Sequence, residues 1–97
     1  MKTGRVIGTI WATRKEERLS GLKLLVIQPM NLLSRQAIEY PIVAADLIGA
    51  GAGEKVLYVS GSSARSAAGG MDVPVDATIV GIVDDQEIDE SLTGREW

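Results

Sequence analysis

Hydrophobic residues in this chain gather in short runs separated by charged or glycine-rich segments. Residues 4–12, 22–28, 38–45, 56–60 and 77–83 are rich in Val, Ile, Leu, Ala and Thr, a composition that predicts five β-strands. The charged stretch TRKEERLSG between the first two suits a long hairpin loop. Gly8, Gly61 and Gly81 fall where sharp bends would let so few strands curl into a small closed or nearly closed barrel. In the run at 23–28, Leu24 and Val26 form one alternating series and Leu25 and Ile27 the other, so neither face of that strand suits water. Either the strand is sandwiched between the barrel core and a helix, or one of its faces is buried against another subunit.

Two glycine-rich loops flank the fourth run, in DLIGAGAGEKVLYVSGSSAR at 46–65. Gly49, Gly51 and Gly53 alternate with Ala50 and Ala52, so this loop carries almost no side chain beyond a methyl and its backbone can approach another backbone closely. The strand at 55–60 then leads to Gly61, which opens a polar turn in which Ser62 or Ser63 can cap a short helical turn through 64–68.

At 97 residues the chain is one domain without internal repeats or linker. A domain of this size buries only about 60 to 65 per cent of its surface on folding, so association would add stability. With no cysteine there is neither a disulfide framework nor a thiolate metal site, a pattern that fits the cytosol. No apolar run approaches the roughly 18 residues of a membrane span. Through Val83 there are nine Lys or Arg against seven Asp or Glu, whereas residues 84–97 hold one against six. An acidic tail on a nearly neutral body argues against a polyanionic ligand, whose binding draws on Lys and Arg.

Candidate chemistry is sparse. The absence of His and Cys removes the usual general base and the common triads. Ser60, Ser62 and Ser63 lie near Lys55 and Arg65 in sequence without a Ser-x-x-Lys pattern, and read as exposed turn hydroxyls. GAGAGE fails the nucleotide-loop tests: the dinucleotide fingerprint needs glycine where Glu54 stands, and a phosphate loop needs Gly-Lys-Ser/Thr where the chain has Glu54, Lys55 and Val56. It also leads into a strand, and Glu54 would repel a phosphate. The acids of the tail, Asp84, Asp85, Glu87, Asp89 and Glu90, lack the glycine and spacing of a calcium loop. No cofactor or metal is expected.

Five blocks carry a resemblance: WATRK at 11–15, GLKLLVIQP at 21–29, AADLIGAGAGE at 44–54, VSGSSAR at 59–65 and PVDATIVGIVD at 74–84. In this order they resemble the EutN/CcmL family, the pentameric vertex proteins of bacterial microcompartment shells. The resemblance implies an OB-like five-stranded barrel with one short helix, assembled as a cyclic pentamer that caps the corners of a polyhedral shell in the cytoplasm. It further implies that Gly49 to Glu54, with Arg14 and Lys15 of the hairpin loop, form an edge meeting hexameric, and in some shells trimeric, shell proteins. Ser60, Gly61, Ser62, Ser63 and Arg65 would converge on the subunit interface or the fivefold pore. On this reading residues 1–83 form the barrel domain and 84–97 an acidic extension, departing from the further β-segment common in the family. That tail reads as a helical turn or a solvated chain ending in an isolated Trp97. Neither nucleic acid nor membrane is expected as a partner.

Two other classes stand beside this one. An OB-fold module for single-stranded nucleic acid would need stacking aromatics and a basic groove, and the chain has two Trp, two Tyr and no Phe at a pI near 4.8. A small enzyme would need the groups whose absence is noted above.

Overall fold

Alternation along the first strand sets the inside of the molecule. In β1 (Lys2–Ile10) Gly4 and Val6 point inward while Thr3 and Arg5 face out. The computed structural model describes residues 1–12, 15–33, 37 and 39–93. Four strands follow: β2 (Lys23–Pro29), β3 (Ile42–Asp46), β4 (Lys55–Ser60) and β5 (Ala77–Ile82). They close into a barrel in the order β1-β2-β3-β5-β4, with every neighbouring pair antiparallel except β3 and β5. Ring closure leaves no unpaired sheet edge along the barrel wall.

Side chains from all five strands fill the interior. Val6, Leu25, Ile27, Ala44, Val56, Tyr58, Ala77 and Ile79 form one buried cluster, with Ile42 and Ile82 packed against it. Small Ala44 and Ala77 share this core with the larger Tyr58, Leu25 and Ile27, a mix of sizes that suits the narrow bore of a five-stranded barrel. Burial pushes the Tyr58 hydroxyl above the ordinary tyrosine value, and the charge of Glu39 adds to the shift. Register slips at Ile7 on β1 and at Val80 on β5, beside Gly8 and Gly81. Such bulges supply the local bend that closure requires.

The sequence-predicted barrel and its five strands stand, with shifted ends. β1 begins at Lys2 and stops at Ile10, two residues earlier at each end than the pattern predicts. β3 begins at Ile42, directly after Pro41, whose missing N–H suits a position outside the ladder; residue 38 lies outside the described residues. The charged hairpin loop contains a 3-10 turn, Glu17–Leu19, held by the Glu16 carboxylate, which accepts from both the backbone N–H and the Nε of Arg18.

The helix also starts earlier than expected. α1 (Gly61–Ala68) follows β4 without an intervening turn, because Gly61 adopts a positive φ of 61° and donates its N–H to the Asp76 carbonyl. The capping position is therefore Ser60, whose side chain makes no cap bond, and Ser62 and Ser63 fall in the first turn. α1 buries Ala64 and Ala68 and packs on β4 and β5. The Thr78 hydroxyl, buried in β5, donates to the Ala64 carbonyl at 2.8 Å and fixes the helix to the wall.

Candidate functional site

The loop from β3 to β4 crosses one end of the barrel and is organised by a carboxylate. Asp46, the last residue of β3, is only 4% exposed. Its Oδ1 accepts from the amides of Ile48 and Gly49 at 2.9 and 3.2 Å, and its Oδ2 from the amide of Ala50 at 2.9 Å. Three backbone donors thus satisfy a buried charge and wind the chain around it. Gly49 takes φ 93° within this turn, a left-handed angle costly to residues with a Cβ.

A second carboxylate closes the other half of the loop. Glu54 Oε1 accepts from the Gly51 amide at 2.6 Å, while the Glu54 amide donates to the Gly51 carbonyl at 3.1 Å. A Cβ on Gly51 would come within 3.2 Å of that Oε1, so the glycine makes room for the lock. The loop is then laced to β1: the Gly53 amide donates to the Val6 carbonyl at 2.8 Å, the Val6 amide to the Glu54 carbonyl at 2.9 Å, and Arg5 Nη1 to the Gly53 carbonyl at 2.5 Å. Glu54, which by sequence only adds a repulsive charge, holds the corner together.

Not all of GAGAGE faces outward. The Ala50 methyl is fully buried in the core cluster, because the Asp46 turn rotates it inward; with its amide on Asp46 and its carbonyl on Lys23, the residue offers no surface for contact in the single chain. Ala52 and Gly53 are exposed, and Gly51 and Glu54 partly so. Just before them Leu47 and Ile48 stand about half exposed, two apolar side chains that the sequence reading passed over. Lys15 is exposed and reaches the Leu22 carbonyl at 3.5 Å, at the barrel end where Lys23 pairs with Asp46; Arg14 lies outside the described residues.

Ser60, Gly61, Ser62, Ser63 and Arg65 lie at the far end of β4 from this corner. Five rises of about 3.3 Å from Lys55 to Ser60 set the two candidate regions roughly 17 Å apart. Ser60 to Ser63 are exposed and Arg65 half-buried.

Between the ends, the wall has an uncovered apolar face. Register places Ile10 opposite Leu24 and Val26 opposite Val43 on the outside of β1, β2 and β3, while Ala45, beside the helix-bound Thr78, is buried. Val43 is 45% exposed and Ile7, pushed out at the bulge, 53%. The helix packs on β4 and β5 and leaves Ile7, Ile10 and Val43 exposed. Of the two explanations for the doubly apolar β2, the exposed Ile7, Ile10 and Val43 beside it favour contact with another subunit.

Residues 84–93 leave the barrel beside this corner. The Val83 amide donates to the Lys55 carbonyl at 2.8 Å, and the Gln86 side chain accepts from Lys55 Nζ while donating to the Leu32 carbonyl at 3.0 Å. A 3-10 turn, Glu90–Leu92, follows, with the Asp89 carboxylate accepting from the Ser91 amide at 3.0 Å. Among the described residues no cluster of three or more acids could hold a metal ion. No described helix is long and apolar enough to cross a membrane.

A closed OB-type barrel with a bare apolar wall and carboxylate-locked backbone corners belongs to the class of assembling modules. The family described as ethanolamine utilisation protein EutN/carboxysome matches residues 1–84, and the chain belongs to it. The carboxysome shell vertex protein CcmL of Thermosynechococcus vestitus is 44% identical over 92 residues, covering 95% of this chain and 92% of the relative. The solved structure of an ethanolamine utilization protein, EutN, superposes with a TM-score of 0.86 at 41% identity over 91% of each chain. The pentameric microcompartment shell protein GrpN of Rhodospirillum rubrum superposes with a TM-score of 0.80 at 42% identity, covering 91% of this chain and 99% of that one. These relatives are structural, and none supports the nucleic-acid reading of the barrel.

Proposed function

We propose that this chain is a vertex protein of a bacterial microcompartment shell, acting as a homopentamer that closes the corners of the polyhedron in the cytoplasm. One observation carries the assembly: on the apolar outer face of β1, β2 and β3, Ile7, Ile10 and Val43 stand exposed among the described residues. A cyclic ring covers such a face by heterologous contact, each subunit placing it against a different surface of its neighbour. Kinship with a pentameric shell protein makes the ring fivefold. Tiles with sixfold symmetry lie flat, and fivefold units at the corners curve them shut. The chain has no enzymatic activity of its own on this reading.

The corner at Gly49 to Glu54, with Arg14 and Lys15, is our candidate edge toward hexameric and, where present, trimeric shell proteins. Its exposed part is Leu47, Ile48, Gly49, Ala52 and Gly53. Ser60 to Ser63 and Arg65 are the candidates for the subunit interface or the pore. Residues 1–83 are the assembling domain and 84–97 an appendage to it. Native mass spectrometry at micromolar concentration tests the core of the proposal: a pentamer is expected, and a stable monomer or dimer would overturn it.

A further inference from the structure

The chain beyond β5 crosses the outside of the barrel without packing closely on it. Residues 84–93 are all exposed, and between them and the barrel lies a cavity of about 670 Å³. Arg5, Glu54 and Lys55 line it on the barrel side, Asp85 and Glu90 on the tail side. The Gln86 side chain spans the gap: its Oε1 accepts from Lys55 Nζ on β4, while its Nε2 donates to the Leu32 carbonyl at 3.0 Å in the loop that leaves β2.

We infer that residues 84–93 form a clasp over this cavity with Gln86 as its latch, and that releasing the latch frees the loop after β2 together with the tail. A side-chain amide suits that role because it carries both an acceptor and donors, so one residue ties tail, barrel wall and loop at a single point. Little else holds the two outer segments down. Leu32 and Leu33 are half exposed, and Ile88, which shares a groove with them, is still 37% exposed. Segments with so few buried apolar contacts open locally at low cost while the barrel stays folded. Charge adds a pull over longer range: the tail's Asp84, Asp85, Glu87, Asp89 and Glu90 face the Arg5 and Lys55 side of the cavity, where Glu54 is engaged by the Gly51 amide. Attraction across a solvated gap is screened by salt, so the clasp closes most firmly at low ionic strength. Closed, it leaves Arg5 and Lys55 half-buried; open, it exposes both.

Thermolysin, which cuts before exposed Leu and Ile, reads both segments in the full-length protein, at Leu32 and Leu33 and at Ile88 and Leu92. Gln86→Ala should raise cleavage several-fold in both while the melting temperature of the barrel holds, so that the cuts report local opening. Gln86→Glu separates the two bonds, because its carboxylate still accepts from Lys55 but has no N–H to donate to Leu32. There only the cuts at Leu32 and Leu33 should accelerate. Wild-type rates at both segments in Gln86→Ala, or acceleration confined to the tail, overturn the latch. Closure itself is read by nitroxides on Leu32→Cys and Glu90→Cys, two positions that line the cavity in a chain with no native cysteine. Dipolar broadening is expected at low salt, retained when labelled chains are mixed with excess unlabelled ones, and lost in Gln86→Ala and at about 1 M salt. Absence of broadening at low salt would show an open tail, and broadening that mixing removes would assign the clasp to a neighbouring chain; either result overturns the proposal.

Discussion

Three amides depend on the carboxylate of Asp46, and no other described side chain could replace all three bonds. Asp46→Ala should cost roughly 2–4 kcal/mol, less than the sum of three charged bonds because water reaches the exposed Ile48 and Gly49 amides once the loop loosens. Urea denaturation checks the magnitude, and hydrogen exchange should show the loss of protection concentrated at 48–50. Ala52→Arg is the opposite case. Its methyl is exposed, so the folded assembly should persist with a change under about 0.5 kcal/mol, while co-assembly with a cognate hexameric shell protein is lost. Closed shells formed as well as with the wild type would show that the corner is not the contact edge. The glycine spacing made this loop legible as a tight backbone corner. What holds it was not: DLIGA contains an Asp two to four residues ahead of the amides it caps, the signature of an Asx-type turn, but which way the carboxylate turns depends on its burial at the end of β3. The same turn sends Ala50 inward, so alternating Gly and Ala in sequence gave no warning that one methyl belongs to the core.

At the scale of elements, β2 shows how far periodicity reaches. Two hydrophobic series identified a strand with two dry faces, yet only the fold shows that Ile10 and Val43 beside the second stand exposed in the single chain. The helix itself was legible as a short turn, though its start was displaced because a glycine at φ 61° lets the chain pass from strand to helix at once. If the outer face of β1, β2 and β3 is the ring interface, a charge in its middle should separate association from folding. Val43→Asp, at a position 45% exposed in the single chain, should leave the β-sheet circular dichroism spectrum intact and shift native mass spectra from pentamer to smaller species. A retained pentamer would move the interface to another face.

The whole molecule carries its charge unevenly, and this bears on the barrel's other common use. With nine cations against seven anions through Val83 and a strongly acidic tail, it has no field to concentrate a polyanion. Single-stranded DNA or RNA should show no measurable binding at physiological salt by fluorescence anisotropy. Affinity tighter than about micromolar with a steep salt dependence would reverse that reading.

Barrel closure has a consequence for how the chain is made. β5 is the fifth described strand in chain order, and it bonds to both β3 and β4, bridging Ala45 with Thr78 and Ser60 with Ala77. Until it arrives, a nascent chain holds at most four strands with two raw edges, the state most prone to pairing with strangers. The β3 contact is parallel and distant in sequence, so it forms late and slowly. A chain truncated before residue 77 therefore never acquires a complete wall or the Thr78 tie to its helix, and cannot present a finished face to its neighbours. The closing strand acts as a check on completeness before any subunit can join a ring.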